Sequence, residues 1–482
     1  MILKQTDWVN HFIYQTQDKW KSISNFIWDN PETRFEEFVS SQYLCEQLKS
    51  EGFKVKSGVA GIQTAFVGEF GKGKPVIAFL GEFDALSGLS QKSGIDYHDP
   101  SQKGGNGHGC GHNLLGTGAL AAAAALKKYI EENQLIGTIR YYGCPGEEGG
   151  SGKTFMAREG VFDDVDIALT WHPSTRTGVL DVSSLANIQA YFKFKGRSAH
   201  AAANPHLGRS ALDAVELMNI GTNYLREHVK QEARIHYAIT NSGGISPNVV
   251  QSEADVLYLV RASNFKDTKE IFERICNIAK GASLMTETEV EIVFDKACLN
   301  YNPNHILGKV LYESINEVGL PSYTPDEYEF AKGIWNTLSD GEKQSAEYLN
   351  EITVERLPID PQGPFLSPEP IPSDGKGFLS GSTDVGDVSW ITPTVQCMYT
   401  TSALGTVLHS WQMVTQGKSS IAHKGMIQAS KVLALTAIKA LENQEIIEEA
   451  KKELQDRLAK HAYQSPIPPD VKPSRLRESL LV

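Results

Sequence analysis

Three short apolar runs in the first part of the chain each end in a cluster of polar, reactive side chains. This pairing constrains the fold more than any other feature. The runs are PVIAFLGEFDAL (75–86), GTIRYYGCPGEEGGSGK (137–153) and VDIALTWHP (165–173). Apolar residues in a continuous stretch, rather than in alternation, suit strands covered on both faces, as in a parallel sheet. Between the first two runs lies LLGTGALAAAAALKKYIE (114–131). Ala has the highest helix propensity, and a face of small residues lets a helix pack closely on a sheet. Helices alternating with buried strands predict an α/β sheet. In open α/β sheets ligands bind at the carboxyl ends of the strands, where the reactive residues stand here.

Two further helices precede the first run. One covers 8–28, with Trp8, Phe12, Ile13, Trp20, Ile23 and Ile27 at helical spacing and Asp29-Asn30-Pro31 as its stop; the other covers 36–48. Residues 187–300 follow a different order, β-α-β-β-α-β, which is that of a ferredoxin-like sandwich. The expected architecture is therefore an α/β domain with a mixed sheet flanked by helices, formed by residues 1–186 and 301–482. A small ferredoxin-like α+β domain, 187–300, is inserted into it. The stretch 325–380 is polar and rich in Pro and Gly and reads as a partly ordered insertion or lid. SSIAHKGMIQASKVLALTAIKALE forms a C-terminal amphipathic helix, and beyond Leu458 a Pro-containing tail reads as an arm or as disordered.

Composition narrows the function. Among 482 residues, 46 are Lys or Arg and 58 are Asp or Glu, a formal net charge of −12. A nucleic-acid or anionic-membrane partner would require a dense basic face, so neither is expected. The N-terminus has no signal-peptide pattern, and no apolar stretch reaches the ~18 residues of a membrane span. A soluble, cytoplasmic protein is expected. Six cysteines are too sparse for a disulfide scaffold.

Five segments carry the chemistry. In NGHGCGHN (106–113), Cys110 and His112 flank a glycine; they read either as soft metal ligands or as a Gly-rich turn with a buried thiol and a capping imidazole. GCPGEEGGSG (143–152) reads as a Gly-rich loop after a strand, and its Glu147 and Glu148 read either as solvated surface or as a divided pair, one binding metal and the other moving protons. His172 in WHP and His409 in VLHSW each read as a ligand or as a structural imidazole. His200 in GRSAHAA reads as a site residue or a helix cap. Together these residues offer thiolate, imidazole and carboxylate donors plus a spare carboxylate, a set that suits two divalent ions of borderline softness and amide hydrolysis. No G-x-S-x-G elbow, full phosphate-binding loop or C-x-x-C occurs.

Taken in order, PETRFEE, GEFDAL, HGCGHN, GCPGEEGGSGK, WHP, GRSAHAAANP, ISPNVVQ, VRA, GSTDVGDVSW and LHSW resemble the aminoacylase/carboxypeptidase clan of metallo-amidohydrolases. The branch they resemble contains the hippurate and auxin-conjugate hydrolases, and within it the enzymes that cleave p-aminobenzoyl-glutamate, a folate breakdown product. The likeness spans nearly the whole chain. It implies that Cys110, His112, Glu148, His172 and His409 ligate two divalent metals, Mn²⁺ or Zn²⁺. It implies that Glu147 is the general base, and that His200 reaches a neighbouring subunit's site to steady the oxyanion. Asn248 and Arg261 match positions that grip the substrate carboxylate. The inserted domain is then a lid and dimerisation domain, the partners are an N-acyl-glutamate substrate, a second copy of the chain and a related A-type subunit, and the reaction releases p-aminobenzoate and glutamate. The alternatives are a broader N-acyl-amino-acid or dipeptide hydrolase and a non-catalytic ligand-binding relative.

The sequence departs from the clan in three places. Peptidase branches carry His-x-Asp where this chain has Glu82-Phe83-Asp84, so Glu82 is left out of the expected ligand set, and Asp84 is expected to orient a ligand. Asn113 replaces an Asp. Thr383-Asp384-Val385 replaces Glu-Asp-Phe.

Overall fold

The computed structural model describes residues 4–348, 352–459 and 463–475. Within these, eleven strands occur: β1 (Lys54–Ser57), β2 (Phe66–Lys72), β3 (Val76–Glu82), β4 (Gly137–Cys144), β5 (Ile167–Ser174), β6 (Gly178–Val179), β7 (Ala186–Lys195), β8 (Arg234–Asn241), β9 (Glu253–Ala262), β10 (Glu289–Cys298) and β11 (Thr394–Thr400). They belong to two compact units. One comprises residues up to 183 with 302–379 and 387–464. The other comprises 184–301 with 380–386 and the described tail, 465–475.

The larger unit holds a seven-stranded mixed sheet in the order β1-β2-β4-β3-β5-β11-β6. The four central strands run parallel, and antiparallel pairs close both edges. Every residue of β3 is buried, which accounts for its unbroken apolar run. From β3 the chain passes to β4 on one side and then to β5 on the other, so β3 marks the point where the winding reverses. Open sheets form their ligand crevice at such a point, and Glu82, Cys144 and Ser174 end the three strands around it.

The helices Gln5–Asp29, His112–Asn133 and Ser420–Glu442 share the main core with this sheet. Ala119, Ala121, Ala122, Ala123 and Ala125 are fully buried, so the poly-Ala run acts as a close-packing surface. Contact is close at Gly116, where a Cβ would lie 2.5 Å from the Glu82 carbonyl oxygen, and at Gly118, where it would lie 2.8 Å from Trp171 Nε1. The Trp171 indole N–H donates to the Leu115 carbonyl at 3.0 Å, tying this helix to the strand that carries His172.

The smaller unit has a four-stranded sheet in the order β10-β7-β9-β8, every neighbouring pair antiparallel. The helices Ala211–Leu225 and Phe265–Thr286 share one core with it. β9 alternates buried and less buried residues along its length, the pattern of a sheet with a single covered face. This is the expected ferredoxin-like arrangement.

Two expectations need correction. The Gly-rich stretch after β4 is not an open loop: it forms two short helices, Glu147–Gly150 and Gly152–Arg158. The 325–380 region is more ordered than its composition suggests. The helices Pro325–Asn336 and Asp340–Ser345 each begin with a capping box, Thr324 with Glu327 and Ser339 with Glu342. Ile334, Trp335 and Leu338 pack with Phe365, Leu366 and Leu404 in a small separate core. The Ser/Thr-x-x-Glu signal for both helices is present in the sequence, but surrounding Pro and Gly mask it. In the tail, Ser474 donates to Asp295 at 3.0 Å; residues 460–462 and 476–482, where the tail was expected to be disordered, lie outside the described residues. Among the described residues no helix is long and apolar enough to cross a membrane.

Gly118 gives a test of sign. In an exposed helix, Gly→Ala stabilises by up to about 1 kcal/mol, and Gly281, with open space at its Cβ position, should follow that rule. Gly118→Ala should instead destabilise by about 1–3 kcal/mol through overpacking against Trp171. Thermal unfolding of the two variants checks the opposite signs.

Candidate metal centre

The site residues of the larger unit converge at the carboxyl ends of β3, β4 and β5. Gly111 makes the first turn possible. It adopts φ +76° at the start of the His112–Asn133 helix, and a Cβ there would lie 2.9 Å from Met413 and 3.0 Å from Pro173. A left-handed residue between Cys110 and His112 bends the chain sharply and brings both side chains into one pocket. Cys110 Sγ lies 3.4 Å from His172 Nε2.

Asp84, two residues beyond β3, ties two parts of the site together. Its Oδ1 accepts from His112 Nδ1 at 3.0 Å, and its Oδ2 accepts from the backbone N–H of Glu148 at 2.9 Å. The His172 Nδ1–H donates to the Pro173 carbonyl at 2.8 Å. Each imidazole thus gives one nitrogen to a fixed acceptor and turns Nε2 inward, an orientation typical of metal-ligating histidines.

The PETRFEE segment supports the turn that carries Glu147 and Glu148. Glu37 is fully buried and accepts from the backbone N–H groups of Phe35 and Gly146, both at 2.9 Å, and from the Thr64 hydroxyl at 2.9 Å. The Phe35 ring fills the space where side chains at 146 and 150 would stand, so glycine is required at both. Arg34 donates to the Gly149 carbonyl.

Three overlapping groups have donor atoms close enough to hold a metal: Cys110 with His112 and His172; Cys110 with Glu148 and His409; and Glu82 with His112 and Glu147. Cys110 belongs to two of them, so one sulfur can serve two ions. Glu148 Oε1 lies 3.1 Å from His409 Nε2, and His112 Nε2 lies 3.3 Å from Glu82 Oε2. Glu148 Oε1 and His112 Nε2 are both buried without a hydrogen bond. Buried polar atoms left in this state call for a further partner, and thiolate, imidazole and carboxylate donors fit a divalent cation. His409 adopts φ +62°, a costly conformation for a non-glycine residue and one that concentrates at functional sites. Its backbone N–H is bound to the Gly109 carbonyl at 2.8 Å, which couples it to the cysteine turn.

Charge is strongly redistributed here. Burial, then the nearby Glu148 carboxylate, pushes the Cys110 thiol well up. Burial would lower His112, but Cys110 and Asp84 outweigh it and hold the imidazole well above its usual range. Burial would raise Glu148, yet the adjacent His409 and the charge of His112 bring it down to about 2. Burial and His112 lower His172.

The structure also brings in two residues outside the expected set. Glu82 joins one ligand group, and Lys153, with a fully buried side chain, pairs with it at 2.8 Å. A lysine closing a Gly-rich segment was the available signal for the second. The other expected residues lie in the smaller unit. His200 is exposed; its Nδ1 accepts from the backbone N–H groups of Ala202 and Ala203, both at 3.2 Å. Its chain is bound to that of Asn248 through Ala201 N–H to the Asn248 carbonyl at 3.0 Å. Arg261, on β9, donates to Ser382 Oγ at 3.1 Å.

The profile of Peptidase family M20/M25/M40 matches residues 78–353. The chain is 50% identical to the B-type subunit of p-aminobenzoyl-glutamate hydrolase of Escherichia coli, covering 97% of this chain and 98% of that protein. It is 26% identical to the Xaa-Arg dipeptidase of Mus musculus, covering 92% and 91% respectively. A dinuclear metal-binding peptidase of the M20 family from Bacillus subtilis shares the fold, with a TM-score of 0.53 at 15% identity over 89% of this chain and 99% of that one.

Metal uptake should depend steeply on pH. Burial raises the Cys110 thiol above its ordinary value, so it holds its proton at neutral pH in the metal-free protein, and a ligand must lose its proton to bind. Affinity should therefore rise with pH, by about tenfold per unit for each proton displaced. Calorimetric titration with Zn²⁺ in two buffers of different ionisation enthalpy measures the release; an affinity flat between roughly pH 6 and 8 contradicts it.

Proposed function

The chain belongs to Peptidase family M20/M25/M40, and on that premise we propose that it is a metal-dependent amidohydrolase that cleaves p-aminobenzoyl-glutamate to p-aminobenzoate and glutamate. The observation that carries the chemistry is the sharing of Cys110 between two ligand groups beside Glu147. The observation that carries the substrate is the 50% identity to the E. coli hydrolase chain over nearly both full lengths.

In this reading Cys110, His112, His172, Glu148 and His409 would hold two divalent ions. Two bound divalent ions would polarise the amide carbonyl and lower the pKa of a water. Thiolate favours Zn²⁺, while carboxylate and imidazole also accept Mn²⁺. Glu147 stands three residues past the end of β4 and shares a group with His112; it takes the proton from the attacking water and returns it to the leaving amine. With its Nδ1 accepting two backbone N–H groups, His200 presents Nε2–H as the donor for the developing oxyanion. It does so in the active site of a second copy, paired through the inserted domain. Arg261 and Asn248 grip the glutamate carboxylate, for which a guanidinium offers a bidentate fork. The E. coli relative is itself one of two subunit types of its hydrolase, which supports an A-type partner here, and the soluble dianionic substrate agrees with a cytoplasmic setting.

A second reading is favoured by the mouse dipeptidase, which is similar over 92% of the chain: cleavage of dipeptides in the same site. Release of p-aminobenzoate by Mn²⁺- or Zn²⁺-loaded protein, compared with a dipeptide panel, separates the two, and faster turnover of dipeptides sinks the first. Glu147→Gln should lower kcat by about 10²- to 10⁴-fold while metal content is unchanged. Arg261→Ala should abolish the preference for glutamate over neutral amino acids in the leaving position; a preserved preference removes Arg261 from the substrate site.

A further inference from the structure

Lys153 is the most unusual residue near the metal centre. Its side chain is fully buried, in the short helix Gly152–Arg158 that follows the glutamate turn. A buried ammonium is costly unless a carboxylate compensates it. The compensating group is Glu82, also buried, whose Oε1 lies 2.8 Å from Lys153 Nζ. The other oxygen, Oε2, lies 3.3 Å from His112 Nε2, the nitrogen turned inward by Asp84.

Two ligands bound at about 2.1 Å to one divalent ion stand roughly 3.0–3.4 Å apart. Glu82 Oε2 and His112 Nε2 thus have the separation of two donors on a single ion. A bare carboxylate in that place would join the ligand set. Paired with an ammonium, the same carboxylate is neutralised and its donor strength falls.

We propose that Lys153 is a positioning residue that keeps Glu82 beside the centre and out of its ligand shell. The proposal rests on the reading that the site holds two divalent ions. Its consequence is electrostatic. The Cys110 thiolate and the Glu148 carboxylate bring two negative charges against the four positive charges of two such ions, and the Glu82–Lys153 pair adds none. The centre stays electron-poor and able to polarise a carbonyl, and Glu147 keeps its carboxylate for proton transfer. If Glu82 were unpaired, it would tighten metal binding and blunt that polarising power.

A double-mutant cycle on the full-length protein tests this, with metal affinity read by competition against a chromophoric chelator and kcat read separately. Lys153→Met should bind Zn²⁺ about tenfold more tightly, and Glu82→Gln, which leaves a buried cation facing the site, about tenfold more weakly. Lys153→Met should also lower kcat. The variant Glu82→Gln/Lys153→Met buries no charge at either position, which favours folding, and its affinity should return to within about threefold of the parent, with the two single effects non-additive. Weaker binding by Lys153→Met, or a double variant that binds several-fold more weakly than the parent, overturns the proposal. Parent protein that binds fewer than two ions overturns the two-ion reading, and this inference with it; a parent that binds two ions but leaves p-aminobenzoyl-glutamate intact overturns only the substrate.

Discussion

The two hydrogen bonds accepted by Asp84 hold the centre together. One fixes the His112 ring, the other the Glu148 backbone, so a residue just past β3 sets the positions of donors contributed by the His112–Asn133 helix and by the turn after β4. A carboxylate can do this because each of its oxygens accepts independently. The arrangement works only if β3 is central, with β4 on one side and β5 on the other. The winding order of the sheet thus acts directly on the chemistry.

Packing enforces the same geometry from outside. Trp171 is fully buried beside His172 and bound to the helix that begins at His112. Phe35 and Glu37 press on the turn that carries Glu147 and Glu148. The donors on the His112–Asn133 helix, on β5 and on the glutamate turn therefore sit on closely packed elements, while the His409 side chain is half exposed; two backbone outliers, Phe35 at φ +58° and His409 at φ +62°, persist where packing and backbone hydrogen bonds hold them.

Much of this was legible in the sequence, for identifiable reasons. The parallel core showed as unbroken apolar runs because both faces of each strand are covered; the inserted unit showed in its β-α-β-β-α-β order, which its four strands and two helices follow. Cys110, His112, Glu148 and His172 stood out because each follows such a run or lies in a glycine turn, and His409 because it follows the apolar pair Val407-Leu408. What could not be read is what depends on long-range contact. The Glu82–Lys153 pair joins residues 71 positions apart only because β3 and β4 are neighbours. The helices within 325–380 were hidden by the Pro and Gly around their caps.

In the proposed two-ion centre the sulfur of Cys110, common to two of the ligand groups, would also order the events of loading. The thiol proton can be displaced once. Whichever ion arrives first bears that cost, and the second finds the thiolate already formed, so occupancy of one position favours occupancy of the other against the repulsion between two cations. Conversely, a single oxidation at this atom would disable both positions together, which makes one sulfur the common point of failure for the whole centre.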